Sequence, residues 1–276
     1  MRDRVYRTEA VIIRRSDVGE ADRVLTILTP LGKQRVVARG ARKISSRLAG
    51  HIELFTHATL MLAIGRNLHI VTQSNPLERF DRLRTDLERI GAAYYAAELV
   101  DRLVEEADEN RRAFALLLAT LRSLDAGAAA DLTLRAYELH LLDALGYRPQ
   151  LHICAVCGEL LTESTDRFSA SAGGAVCPRC AIADRQAPPM SLPAFKLLRY
   201  LQAQPPEIAG DLRISPATRA EAERLMRAYL HQILERDLRS LAFLEDVRLT
   251  QHLAEPDHAD TTGMRRFAQG DNDDSN

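Results

Sequence analysis

The stretch of the chain from residue 24 to residue 38 determines how its N-terminal part can fold. It contains Val24-Leu25-Thr26-Ile27-Leu28, the turn Pro30-Leu31-Gly32 and, after three polar residues, Val36-Val37-Ala38. Apolar runs rich in β-branched residues on either side of a turn with proline and glycine are typical of two antiparallel strands. This stretch therefore predicts a β-hairpin.

Similar short segments occur throughout residues 1–80. Three more strands are predicted at Val11-Ile12-Ile13, Ala58 to Ile64 and Leu68 to Thr72, and Gly65-Arg66-Asn67 supplies the turn between the last two. The segment from Ala58 carries apolar residues at every second position, which gives its strand one buried face. Five short strands with no long helix between them predict a small closed or nearly closed barrel.

The hydrophobic period changes at residue 81. Apolar residues recur at spacings of three and four between Leu83 and Leu103 and between Phe114 and Leu121. A third helix is predicted from Leu132 to Leu145, where a glycine and a proline follow. We therefore predict that residues 81–149 form the first part of a helical domain.

A second helical part is predicted over residues 185–250. Ser215 is a suitable N-cap, Pro216 suits the first helical position, and apolar side chains from Leu225 to Leu241 mark a buried stripe. The last segment, residues 251–276, is polar and rich in aspartate, and we expect it to be disordered. The predicted fold class is α+β multidomain, with a β-barrel followed by a helical body.

All four cysteines lie between the two helical parts. They form Cys154-Ala155-Val156-Cys157-Gly158 and Cys177-Pro178-Arg179-Cys180, with 19 residues between the pairs. Two residues between paired cysteines allow a tight turn to direct both sulfurs at one ion, and this spacing of the pairs is that of four-thiolate zinc sites. A hairpin predicted over residues 168–176 would bring the pairs together. We predict a zinc module at residues 150–184, with one Zn²⁺ held by Cys154, Cys157, Cys177 and Cys180.

Two disulfides or a redox dithiol are the alternatives to zinc. The first residues carry charge and no apolar core of a signal peptide, so a reducing cytosol is expected and zinc is favoured. A zinc ion with four sulfur ligands has no open position for water or substrate, which makes it structural. The chain also lacks a Walker loop, an H-E-x-x-H motif and a G-x-S-x-G motif, so we do not expect an enzyme.

Charge is distributed unevenly, although the formal net charge is only −1. Residues 1–80 contain 14 basic and 7 acidic side chains, whereas the remainder of the chain is acidic. A basic module on an acidic body suggests that one unit binds a polyanion. No stretch approaches the ~18 uninterrupted apolar residues of a membrane span, so no membrane segment is expected.

The basic residues are concentrated where acidic ones are absent. Between Asp22 and Glu53 there are seven basic and no acidic residues. Lys33, Arg35 and Arg39 share one face of a predicted strand, and a basic loop follows them. Such a row of cations suits a phosphate backbone, although a solvated strand face that keeps the protein soluble is the alternative. The candidate nucleic-acid-binding residues are Lys33, Arg35, Arg39, Arg42, Lys43 and Arg47.

A small barrel with a basic face is typical of proteins that bind single strands. Such barrels often stack bases on aromatic side chains, but here the available candidates are Tyr6, Phe55 and Phe80. Binding is therefore expected to be mostly electrostatic, weakly dependent on base sequence and sensitive to salt.

Several segments occur in an informative order. They are Glu20 to Pro30, Gly32-Lys33, Ala38 to Lys43, Ser46-Arg47-Leu48, Leu145 to Pro149, and the two cysteine pairs with Phe168-Ser169 and Ala172-Gly173-Gly174 between them. In this order and spacing, the chain resembles the bacterial RecO family of recombination mediators over about residues 4–250.

This resemblance implies an N-terminal OB-fold barrel, a helical body and a zinc module inserted in that body. It implies binding to single- and double-stranded DNA, annealing of complementary strands, and action with RecR and the single-strand-binding protein SSB to help load RecA in the RecF pathway. The six candidate residues match basic positions of the family's barrel surface, and a cytoplasmic, nucleoid-associated protein is expected. The alternative is a zinc-stabilised protein–protein scaffold that makes no direct contact with DNA.

Overall fold

Residues 5–106, 108–162, 167–184 and 187–234, with a few positions between 238 and 247, are described by the computed structural model. The predicted tail, residues 251–276, lies outside the described residues. The N-terminal part forms five strands, which are β1 (Val5–Val18), β2 (Asp22–Thr29), β3 (Gly32–Ala38), β4 (His57–Ala63) and β5 (His69–Glu78).

The five strands close into a barrel in the order β1-β2-β3-β5-β4, with β4 paired back to β1. Paired strands are antiparallel except β3 and β5, which run parallel. Alternate apolar side chains fill the interior, where Ile12, Ile27, Val36 and Leu60 are fully buried. This arrangement agrees with the predicted small barrel and is consistent with an OB-fold.

The turn between β2 and β3 is held locally and also touches the segment after the first long helix. The hydroxyl of Thr29 accepts a hydrogen bond from the Leu31 amide (3.1 Å) and donates one to the Gly32 carbonyl (2.8 Å). Gly32 has a positive φ of 109°, and a Cβ there would lie 2.4 Å from the carbonyl oxygen of Asp108. This turn therefore requires glycine, because another stretch of backbone approaches it so closely.

The rest of the described chain is mainly helical and carries a small two-stranded sheet. Its helices are α1 (Leu87–Leu103), α2 (Arg111–Ala126), α3 (Ala130–Ala144), α4 (Pro178–Ala181), α5 (Leu192–Ala203) and α6 (Pro216–Leu234), and the sheet consists of β6 (Arg167–Ser169) and β7 (Gly174–Val176). The predicted α+β class is confirmed. Among the described residues, no helix is both long and apolar enough to cross a membrane.

The helix ends show where local sequence signals were sufficient. Ser215 caps α6 by accepting a hydrogen bond from the Thr218 amide (3.2 Å), as predicted. The first helix begins at Leu87 rather than near Leu83, because the side chain of Asp86 accepts hydrogen bonds from the next turn and caps the helix there. The three-four spacing places Leu87 on the buried face of this helix, but the structure leaves its side chain 62% exposed.

A second hydrophobic core, separate from the barrel interior, lies between the outside of the barrel and the helical body. Outward-facing barrel residues, Val11 and Leu28 among them, belong to the same buried cluster as side chains of α1 and α2. At the junction Arg122 of α2 donates two hydrogen bonds to the carboxylate of Glu78 (2.8 and 2.7 Å), which also lies 2.9 Å from Nδ1 of His57. These hydrogen bonds, Arg122 first, hold the pKa of Glu78 below its ordinary value.

Replacing Arg122 with alanine should make the free energy of unfolding depend less on pH in the acidic range. The lowered pKa of Glu78 contributes stability that is present above the ordinary value of 4.5 and is lost as the pH falls through the lowered value. The variant should lose most of this contribution, which urea unfolding between about pH 3 and about pH 6 would measure. A pH profile identical to that of the native protein would contradict the role of this ion pair.

One ion pair is enclosed within the helical body. The guanidinium of Arg135 contacts the carboxylate of Glu138 on the same helix, and the two side chains are 5% and 0% exposed. The hydroxyl of Tyr95 on α1 donates a hydrogen bond to the same carboxylate. Burial, and then the negative charge of Glu138, raise the pKa of Tyr95 well above its ordinary value, so Tyr95 remains a donor. The buried carboxylate therefore links α1 to α3.

Replacing Glu138 with alanine should reduce the free energy of unfolding by about 3–5 kcal/mol, because Arg135 would keep its buried charge without this partner. Denaturant unfolding monitored by circular dichroism measures the change. The matched control is Glu207→Ala at an exposed position, which should change stability by less than about 0.5 kcal/mol. Equal stabilities of the two variants would show that the buried pair contributes little.

Candidate nucleic-acid interface and metal centre

Part of the predicted row of cations lies on the outside of the barrel. In the antiparallel register Arg35 of β3 is opposite Thr26 of β2, and Thr26 is opposite Arg14 of β1. These three side chains therefore share one face, while Val36 points into the barrel core. Arg35 and Arg39 are exposed, and neither has an ion-pair partner among the described residues.

Lys33 does not belong to this exposed surface, which corrects the predicted row. Its side chain is only 10% exposed, and its Nζ lies 3.2 Å from Oδ1 of Asp101 near the end of α1. The same ammonium donates a hydrogen bond to the backbone carbonyl of Asp101. Strand alternation does place Lys33 on the outward face, but the helical body covers that end of the strand and pairs its charge.

The loop that follows β3 is anchored beside the turn between β1 and β2. The Gly40 amide donates a hydrogen bond to the carboxylate of Asp22 (2.7 Å), and the Arg42 amide donates one to the carbonyl of Ala21 (2.9 Å). Ala41, between them, is fully buried in the barrel core. These contacts fix the start of the loop against the barrel, so they set the position from which its basic side chains extend.

The three cations of this loop differ in their contacts. Arg42 lies 3.3 Å from the carboxylate of Asp17 and donates a hydrogen bond to the carbonyl of Gly19 (3.0 Å). Lys43 and Arg47 are exposed and make no ion pair within the part of the chain that the structure describes. Four of the six candidates thus carry unpaired charge at the surface among the described residues. We call them the cationic surface: Arg35, Arg39, Lys43 and Arg47.

Acidic residues at the edges of the basic interval also shape this region, and the sequence analysis did not assign them a role. Arg23 lies 3.0 Å from Asp17 and 3.5 Å from Glu53, so its charge is paired. Glu53 also pairs with Arg15. The sequence did contain a sign of this, because Asp22 and Glu53 bound the acid-free interval and so place a carboxylate at each end of the basic segment.

The aromatic residues of the N-terminal part do not provide an exposed stacking surface. Phe55 and Phe80 are 1% and 6% exposed, and both pack in the core shared with the helices. Tyr6 is partly buried, and its hydroxyl donates a hydrogen bond to the side chain of Gln34 (2.9 Å). The geometry is therefore in keeping with a surface that attracts a polyanion by charge.

The four cysteine sulfurs come together, as their spacing predicts. The Sγ atoms of Cys154, Cys157, Cys177 and Cys180 all lie within 4.8 Å of one another. Those of Cys157 and Cys177 are 3.8 Å apart. Sulfurs bound at about 2.3 Å around a tetrahedral zinc would lie about 3.8 Å from each other. The cluster therefore has the dimensions of a four-thiolate metal site.

Backbone amides surround the most buried of these sulfurs. Gly158, with a positive φ of 75°, closes the first cysteine turn by donating its amide to the carbonyl of Cys154 (2.9 Å). Burial by itself raises the pKa of Cys154, but backbone N–H groups that include those of Cys157 and Cys177 lower it to about 6. A sulfur that accepts several N–H bonds is well prepared to bind a cation as the thiolate.

The cysteine module packs against the helical body. The ring of Phe168 is fully buried and meets that of Tyr229 on α6 edge to face, with 5.8 Å between the ring centroids. His152, which is close to the first cysteine pair in the chain, instead lies 3.0 Å through Nδ1 from the guanidinium of Arg199. The donor set in the cluster is therefore cysteine alone, which suits a closed structural site.

Two family models match successive parts of the chain. Residues 1–80 match the model described as Recombination protein O N terminal, and residues 84–242 match the one described as Recombination protein O C terminal. The first match covers the barrel, and the second covers most of the helical body with the cysteine cluster. The two models describe the N- and C-terminal parts of one protein, and they match this chain in the same order.

Relatives named DNA repair protein RecO are similar to this chain over almost their whole length. A DNA repair protein RecO from Roseiflexus sp. (strain RS-1) is 75% identical over 275 residues, covering 100% of this chain and 97% of the relative. Proteins of the same name from Nocardioides sp. and Dehalococcoides mccartyi are 39% and 36% identical, covering 87% and 88% of this chain and 99% and 96% of the relatives. The chain belongs to the RecO family of DNA repair proteins.

Replacing Cys157 with serine should abolish tetrahedral metal binding, because it removes one of four sulfur ligands. Titration of the metal-free protein with Co²⁺ measures this through the absorption of cobalt bound to thiolates, with one ion per native chain expected. The matched control is His152→Ala, which should bind as the native protein does. Full metal binding by the serine variant, or its loss in the alanine variant, would contradict the four-cysteine assignment.

Proposed function

We propose that this protein is a DNA repair and recombination mediator that binds single- and double-stranded DNA through its barrel and anneals complementary strands. The observation that supports this most directly is the cationic surface, in which four side chains carry unpaired charge among the described residues. Unpaired cations on one module repel each other, and a phosphate backbone that contacts them relieves that repulsion.

The mechanism of annealing needs electrostatics rather than a nucleophile. Two complementary strands repel each other through their phosphates, and a surface of exposed cations lowers this barrier when it contacts both. Because Phe55 and Phe80 are buried and Tyr6 is partly buried, aromatic rings offer the bases little stacking surface, and the bases remain available to pair. We therefore assign the protein no catalytic residue.

The protein partners are proposed from membership of the family. In this proposal the protein acts with RecR and with SSB and helps load RecA onto SSB-coated single strands, within the bacterial cytoplasm at the nucleoid. The barrel would supply the DNA contact, and the helical body is large enough to supply contacts to proteins.

We assign the metal as one structural Zn²⁺. Its ligands would be Cys154, Cys157, Cys177 and Cys180, whose mutual distances suit tetrahedral binding. Four thiolates favour zinc over hard cations such as Mg²⁺ or Ca²⁺. When bound, the ion would join the two cysteine turns and stabilise the module against the helical body.

Removing Arg35 and Arg39 should weaken strand binding and flatten its dependence on salt. If the four cations each contact a phosphate, the log–log slope for a single strand is about −2.8, and the double alanine variant should show about −1.4. Annealing of complementary oligonucleotides should slow in parallel. Fluorescence anisotropy at several salt concentrations and an annealing assay with labelled strands measure the two effects.

The matched control removes the same number of charges from the helical body. Arg213 and Arg224 are exposed there, and a variant with alanine at both positions should retain the native slope. Equal losses in the two double variants would indicate a response to net charge rather than a defined surface. Native-like binding by the barrel variant would move the DNA contact away from the barrel, and absence of binding by the native protein would favour the zinc-stabilised scaffold.

A further inference from the structure

One side chain of the basic loop is apolar and completely exposed. Ile44 has a relative exposure of 108%, and the next most exposed large apolar residue among those described, Leu160, reaches 81%. Single apolar side chains at a surface are common, and exposure alone indicates nothing. The surroundings of Ile44 are what distinguish it.

The loop holds Ile44 in a defined place. The Ser46 amide donates a hydrogen bond to the carbonyl of Lys43 (2.9 Å), which closes a turn with Ile44 at its second position. On one side of this turn Ala41 is buried in the barrel core, and on the other Leu48 packs partly against it. Since both ends of the segment are attached to the barrel, the turn presents Ile44 outward.

Cations lie on both sides of this apolar side chain. Lys43 precedes it and Arg47 follows it, and both belong to the cationic surface. The other neighbours, Ser45 and Ser46, are small and polar, so Ile44 has no apolar cluster in the loop to join. An apolar residue that lies between two cations in the sequence suits a nucleic-acid strand, whose backbone carries phosphates and whose bases present apolar faces.

We infer that Ile44 is a wedge that inserts between adjacent bases of a DNA strand whose phosphates lie on Lys43 and Arg47. Isoleucine is one of the side chains that proteins insert between base steps, where it partly unstacks them. This inference rests on the proposed DNA binding and adds a role that charge cannot supply. The strand would be held open for pairing, because an aliphatic wedge separates bases without the strong attraction of an aromatic ring.

The experiment uses a single strand that contains 2-aminopurine between two adenines, since this base fluoresces more strongly when it is unstacked. The full-length native protein at saturating concentration should raise the fluorescence. Ile44→Ala should abolish most of this rise and weaken binding about fivefold, while leaving the salt slope unchanged. Ile44→Leu should restore the rise, because leucine also inserts between bases.

The matched control is Leu87→Ala, which removes an apolar side chain that is 62% exposed on the helical body. It should behave as the native protein does in every measurement. Since Ile44 contributes nothing to a core, its alanine variant should also keep the native thermal midpoint.

Each contrary outcome identifies which proposal fails. A full fluorescence rise with Ile44→Ala would overturn the wedge. Steep, salt-dependent binding by the native protein with no rise in fluorescence would also overturn the wedge but leave the proposed function standing. Absence of strand binding by the native protein would overturn both.

Discussion

The contact between the β2–β3 hairpin and the end of α1 is the constraint on which the rest of the structure depends. There Lys33 pairs with Asp101, and Gly32 meets the backbone of Asp108 so closely that a side chain would not fit. This contact joins the barrel to the helical body and covers one end of the outward face of β3. The cations beyond the covered end are left exposed, so the same contact that joins the two parts also sets the limit of the cationic surface.

Cations inside the helical body and at its junction with the barrel have carboxylate partners, which the cationic surface on the barrel lacks among the described residues. Arg135 is enclosed with Glu138 inside the helical body, and Arg122 is bonded to Glu78 at the junction. Neighbouring carboxylates thus already satisfy these cations, and they contribute to the fold. The cationic surface lacks such partners among the described residues, and its attraction for anions is therefore available to a ligand. Whether an arginine contributes to the fold or stays available to a ligand depends on whether a carboxylate lies within reach.

The annealing proposed for this protein requires a surface that binds phosphates firmly and bases weakly. Burial of Phe55 and Phe80 in the shared core removes the strongest base-stacking groups from the barrel surface. The anchored loop then offers cations with one aliphatic side chain between them. The cysteine module is packed into the helical body, since Phe168 and Cys154 lie buried in its core and the four sulfurs lie close together.

Local patterns were enough to predict the barrel strands and the Ser215 cap, because neighbours a few positions away determine each of them. The meeting of the four cysteines was predicted from a known motif spacing, although the two pairs are 19 residues apart. The apolar spacing from Leu83 did not reveal where α1 begins, because that depends on the cap at Asp86. The sequence by itself determined which residues of β3 point outward, since strand alternation is a property of the backbone. Only the tertiary structure decided that Lys33 is paired while Arg35 has no ion-pair partner among the described residues, because the partner of Lys33 lies 68 positions away and burial of a charge depends on what packs over it.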